Sequence, residues 1–116
     1  MIAKTDFSAF LVQEVVENAR MISERISEFG ITRDSYASST LYQDMLAMPM
    51  LRICELVSEY KDEFKGIDPA YPWDDVAKMR SKMAHPYGGF DFEFVWYAIQ
   101  DDLSDLVEIC EGYLES

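Results

Sequence analysis

Apolar residues return every three or four positions through four stretches of this sequence, and no stretch alternates them every second position as a half-buried strand would. Phe7, Leu11, Val15, Ala19, Ile22, Ile26 and Phe29 mark the first, predicting a helix from about Thr5 to Phe29 with Gly30 as a left-handed stop. The second predicted helix starts near Asp34 or Ser35 and ends at about Lys65 before Gly66, carried by Leu46, Met50, Ile53, Val57, Tyr60 and Phe64. Pro49 falls inside it, removes a backbone donor and crowds the preceding turn, so a kink or break is expected there. A turn-rich connector, Gly66 to Pro72, leads to a short third helix ending at about Ala84, because Pro86 disfavours helical geometry at His85. Pro72 suits its first turn, and Asp74 and Asp75 complement the positive end of its dipole. After the Gly88-Gly89 turn, Asp91 is a good N-cap for a last helix built on Phe92, Trp96, Ile99, Leu103, Leu106, Cys110 and Tyr113.

Long helices with short links predict an all-α, antiparallel bundle of four to five helices, with residues 1–116 forming a single domain. At 116 residues and 49% apolar, the chain has enough material for one core without staples. Val12, Val16, Phe94 and Tyr97 widen the stripes beyond what one bundle needs, which fits either a thicker core or a buried dimer face. Cys54 and Cys110 lie far apart at apolar-periodic positions, so packed free thiols in a reducing compartment are expected, with neither disulfide nor zinc ribbon. Absence of a signal-peptide pattern and of an apolar run near the roughly 18 residues of a membrane span points to a cytoplasmic protein that does not contact the membrane.

Twenty-two acidic residues against ten basic ones give a net charge of −12, which phosphate backbones repel at long range. Sequence-general DNA binding is therefore not expected, and any nucleic acid must be met by a local basic patch. One such inversion of sign exists. Lys78, Arg80 and Lys82 fall within five positions of the third helix, just before His85, the chain's one histidine. Arg80 and His85 are five apart, about 140° on an ideal helix, so they share a side only if Pro86 releases His85 from the last turn. A helix C-terminus favours imidazolium and lets a histidine move protons near neutrality, while a guanidinium holds a phosphate through two donors. Together they suit cleavage of RNA by its own 2′-hydroxyl, with a symmetric dimer supplying a second histidine so that acid and base are both present.

The segment Arg80-x4-His85-x-Tyr87 resembles the Arg-x4–6-His signature of the HEPN ribonucleases, in the Arg-x4-His-x-Tyr form of the HepT-like toxins. Tyr71-Pro72-Trp73 before it, the Tyr-Gly-Gly-Phe-Asp turn, Val95-Trp96 and Asp102-Leu103-x-Asp105-Leu106 after it, and Ile53-Cys54-Glu55 upstream extend the likeness over nearly the whole chain. The resemblance implies a HEPN-like bundle that dimerises and cuts RNA without a metal or other cofactor, with Arg80 and His85 catalytic. It also implies a nucleotidyltransferase-type antitoxin that silences the toxin by transferring AMP to Tyr87, placing a bulky anion beside Arg80. Three positions depart from the family pattern. Ser81 replaces an Asn, Asp or His and shortens or removes one polar contact; Cys54 replaces a glycine; Ser104 replaces a proline, so the last helix is expected to run straighter. Ser81 keeps open a different class, a non-catalytic HEPN-type helical binding module that pairs with a nucleotidyltransferase. A plainer option is a helical dimer in which the motif only caps the third helix. Lys78 and Lys82 serve either as RNA contacts or as solvated surface, and Glu55 either orients Arg80 or ties two helices together.

Overall fold

The computed structural model describes residues 6–85 and 89–116, and it is an all-α antiparallel bundle. Helix α1 spans Asp6–Phe29, α2 Arg33–Ala37, α3 Thr40–Glu59, α4 Lys61–Ile67, α5 Trp73–Met83, α6 Phe92–Asp101 and α7 Leu103–Glu115. Between α5 and α6 the chain forms a minimal ladder, β1 Ala84–His85 against β2 Gly89–Phe90, in antiparallel register with Ala84 opposite Phe90 and His85 opposite Gly89. Two-residue strands are too short to leave a period-2 signal, so the sequence shows them only as a turn.

Helix α3 is the spine, packed on α1 along one side and α5 along the other, while α7 returns to cover α1. The buried stripe of α1 is Leu11, Val12, Val15, Ala19 and Ile22, with Val12 absorbed fully into the core. The stripe is shorter than its periodicity suggests. Phe7 and Phe29 at its ends are 45% and 49% exposed, resting on Tyr60 and Tyr42 respectively. Gly30, at φ +57°, ends α1 in a left-handed turn in which the Ile31 and Gly30 amides donate to the Ile26 and Ser27 carbonyls.

The second predicted helix is three helices, and its breaks are not at Pro49. They fall at Ser38–Ser39, where Ser39 caps α3 by accepting from the Tyr42 amide, and at Tyr60, whose ring packs edge-on against Phe7. Pro49 lies buried within continuous α3. The carbonyl that a proline orphans is four residues back, and here the Arg25 guanidinium of α1 donates to Met45 O at 2.6 Å. A charge-assisted bond from a neighbouring helix thus stands in for the missing amide, which local sequence cannot reveal. Gly66 likewise does not end a helix: α4 runs through it to Ile67.

The last predicted helix is also divided, at Asp102, despite the absence of a proline at 104. Backbone bonds continue across the joint, from the Asp102 amide to Ala98 O and from the Leu106 amide to Asp102 O, so the interruption is a single distorted residue. Burial, then Asp101 and Asp105, raise the Asp102 carboxyl above its ordinary value. Both thiols are buried in the core, and desolvation with a neighbouring glutamate (Glu55 for Cys54, Glu111 for Cys110) pushes each up to about 12. None of the described helices is long and apolar enough to cross a membrane.

Candidate active site

Helix α5 is fastened at its start and presents its charged residues at its end. Trp73 is 1% exposed, packs on Phe64 and Tyr71 with ring centroids 5.0 and 4.8 Å away, and donates its indole N–H to Asp68 O at 2.9 Å. Asp74 receives Lys65 and Lys61 at 3.3 and 3.4 Å, and these hydrogen bonds hold its carboxyl below the ordinary carboxylate value. Val76 and Met83 bury one face, seven residues apart.

Arg80 lies between Val76 and Met83 in that heptad, four after one and three before the other, so α5 turns it to the edge of the buried stripe that faces α3. There Arg80 Nε sits 3.5 Å from Glu55 Oε1, with both side chains about half exposed. Glu55, Ser58, Glu59 and Arg80 line one open groove of about 360 Å³. Glu59 escapes sequence inspection as a site residue, although its position one helical turn beyond Glu55 is the signal that places both carboxylates on one face of α3.

The other basic residues of α5 leave in other directions. Two positions correspond to about 200° around a helix, so Lys78 and Lys82 share a face turned from Arg80. Lys82 Nζ lies 5.9 Å from the centre of the Phe94 ring. Ser81 turns its hydroxyl back onto its own helix, donating to Lys78 O at 3.3 Å. The structure therefore brings Glu55 to Arg80 and separates Lys78, Ser81 and Lys82 from it.

The chain leaves α5 at Ala84, whose backbone is extended (φ −118°, ψ 102°) while its amide still donates to Arg80 O. His85 follows in β1, already released from helical geometry, with its backbone opposite Gly89 at φ +75°. The Asp91 amide donates to Met83 O at 2.7 Å and closes the base of the hairpin. The His85 side chain and the whole of Tyr87 lie outside the described residues. Among the described residues no three His, Cys, Asp or Glu side chains gather as a metal site needs. Another groove, about 620 Å³ and lined by Val16, Ile26, Ile99, Leu103 and Val107 among others, runs between α1 and the α6–α7 arm and includes none of these residues.

A family model described as "Ribonuclease HepT-like" matches residues 9–112. A Thermococcus cleftensis protein named "Probable ribonuclease HepT" is 28% identical over 98 residues, covering 81% of this chain and 87% of its own. A "Putative RNase" of Methanocaldococcus jannaschii is 26% identical over 110 residues, covering 91% and 88%. Another protein so named, from Caldanaerobacter subterraneus subsp. tengcongensis, is 22% identical over 95 residues, covering 82% and 83%. No solved structure matches the chain significantly.

Proposed function

The chain belongs to the HepT-like ribonuclease family, and on that premise we propose that it is a metal-independent endoribonuclease, the toxin of a toxin–antitoxin pair working in the cytoplasm. The observation that carries the reading is the placing of Arg80. Its guanidinium stands at the mouth of an open groove on the last turn of α5, and His85 follows at the family's spacing in a strand freed from the helix.

In the reaction, the imidazole of one His85 takes the proton of the RNA 2′-hydroxyl, and the 2′-oxygen attacks the adjacent phosphorus. The bond from phosphorus to the 5′-oxygen breaks, leaving a 2′,3′-cyclic phosphate, and the departing oxygen takes a proton from the imidazolium of a second subunit. Arg80 donates to the phosphate oxygens as charge builds on them. Before substrate arrives Glu55 engages the same guanidinium, so it orients Arg80 and the phosphate must displace it. A nucleotidyltransferase antitoxin would silence the site through attack of the Tyr87 phenol oxygen on the α-phosphorus of ATP, with release of pyrophosphate. The resulting AMP ester places an anion where the scissile phosphate binds.

One observation favours the non-catalytic module instead. Arg80 shares its groove with two carboxylates, Glu55 and Glu59, and Ser81 makes its hydrogen bond to the α5 backbone. RNA cleavage by the purified protein in EDTA separates the two readings. The nuclease cuts under those conditions and His85→Ala does not; a module binds its partner and leaves RNA intact. Cleavage that needs a divalent ion, or that survives His85→Ala, defeats the proposed mechanism.

A further inference from the structure

A second cluster of chemistry borders the motif hairpin and has no part in the steps above. Tyr36, Gln43, Phe92, Trp96, Arg33 and Glu93 line a pocket of about 300 Å³ where α2 and the start of α3 meet α6. Its frame is fixed. The Tyr36 hydroxyl donates to Phe92 O at 2.7 Å, the Gln43 amide donates to Tyr36 O and Ala37 O at 3.1 and 3.2 Å, and Trp96 packs on Tyr36 with ring centroids 5.1 Å apart. Buried Tyr36 thus holds a partly exposed tryptophan and phenylalanine on the pocket wall. Around them α6 carries two cation–ring pairs, Arg33 over Tyr97 at 5.4 Å and Lys82 over Phe94 at 5.9 Å.

Aromatic faces beside cations are the means by which proteins hold unpaired bases of single-stranded nucleic acid, since every base offers a face to stack. The charged groups in this pocket suit a base. Glu93 Oε1 lies 3.9 Å from Arg33, and a carboxylate there accepts readily from the exocyclic amino group of a base. Position agrees with this. Phe92 lies three residues beyond Gly89, the partner of His85, and is joined to the hairpin by Phe90, whose ring stacks on it at 5.4 Å. Cα spacings place Phe92 within about 16 Å of His85, a span that a few nucleotides cover.

We infer that this pocket is a base-binding subsite for single-stranded RNA, in which an unpaired base a few nucleotides from the scissile linkage stacks on Trp96 and Phe92 next to Arg33. The inference rests on the nuclease reading for its substrate class and is tested apart from it. The probe is a short 2′-O-methyl oligoribonucleotide, which lacks the attacking hydroxyl and so binds without being cut. Trp73 is buried, so saturable quenching of tryptophan fluorescence reports on Trp96. The expected result is quenching by the single strand and none by the same sequence in duplex, loss of the signal in Trp96→Phe, and affinity weakened roughly 5-fold or more in Arg33→Ala. Arg33 is an exposed side chain, so that variant folds without it. Absence of quenching in the unmodified protein, quenching that persists in Trp96→Phe, or an Arg33→Ala protein that binds as tightly as its parent would overturn the subsite. Quenching by a nucleotidyltransferase partner but not by the oligonucleotide would give the pocket to a protein and overturn it as well. Loss of cleavage with the quenching intact counts against the nuclease reading alone.

Discussion

The two ends of α5 are built from opposite materials. At its start, Trp73 is wrapped by Phe64 and Tyr71, its one donor is satisfied by Asp68 O, and Asp74 is clasped by two lysines of α4. At its end, Arg80 keeps a half-exposed ion pair with Glu55, and the backbone departs at once into a two-residue ladder. The first end holds the helix in place, and the second uses that fixed position to hold Arg80 out beside the α3 groove. An eleven-residue helix about 16 Å long transmits the placement with little loss, because packing against α3 leaves it nowhere to pivot. On the proposed reading, stability and chemistry are divided along one element, and each half can be altered while the other is watched.

The largest contrast is expected at the reactive end. Arg80→Ala and His85→Ala should each lower RNA cleavage by roughly 10²–10⁴-fold, with thermal midpoints close to that of the parent. A melting temperature that falls along with activity would show the end to be structural after all. Next comes the anchor. Trp73→Ala removes a fully enclosed ring and should cost about 3–5 kcal/mol, a fall in melting temperature of more than about 10 °C by circular dichroism. If that variant melts like its parent, the division between the two ends fails. Glu55→Gln sits between these cases. An exposed ion pair contributes at most about 1 kcal/mol, so stability should barely move, whereas cleavage should slow several-fold as Arg80 loses its orientation. Unchanged cleavage with a clear loss of stability would make Glu55 a tie between helices instead. The smallest effect belongs to Asp74→Asn, a surface substitution visible as a slight drop in melting temperature near neutral pH. Because the folded-state carboxyl is depressed below its unfolded value of 3.8, the difference should be fully present above that value and vanish as the pH falls through the lower, folded one. A gap between parent and variant that widens in acid would reverse that sign and remove the clamp from the account.

Much of this design is legible in the chain itself. Leu11, Val15, Ala19 and Ile22 of α1, Leu46, Met50, Ile53 and Val57 of α3, and Leu103, Leu106, Cys110 and Tyr113 of α7 lie on predicted stripes and are buried, because a helix must turn one face inward and the 3.6-residue period records which one. The α5 boundaries at Pro72 and Ala84 were also accessible, since prolines act through local sterics. The pairing of Glu55 with Arg80 was one of two roles open to Glu55, beside a tie between helices, whereas Glu59 became visible only once α3 was set beside α5. The α6 pocket was hidden for a similar reason. Tyr36 and Phe92 are 56 positions apart in sequence, and nothing near either announces the bond between them.

Pro49 shows the boundary between the two kinds of information most clearly. Sequence alone determined an all-helical bundle, its inward faces, a chain repelled by bulk nucleic acid and a motif of Arg80, His85 and Tyr87, because each follows from neighbours within a turn or two or from summed charge. Tertiary structure alone decided where the helices break, that Arg25 would sustain α3 through its proline, and that Arg80 would face two carboxylates while Lys78 and Lys82 face away. Those outcomes depend on partners brought from other helices, and the energy of a contact across the bundle leaves no local trace in the order of the residues that make it.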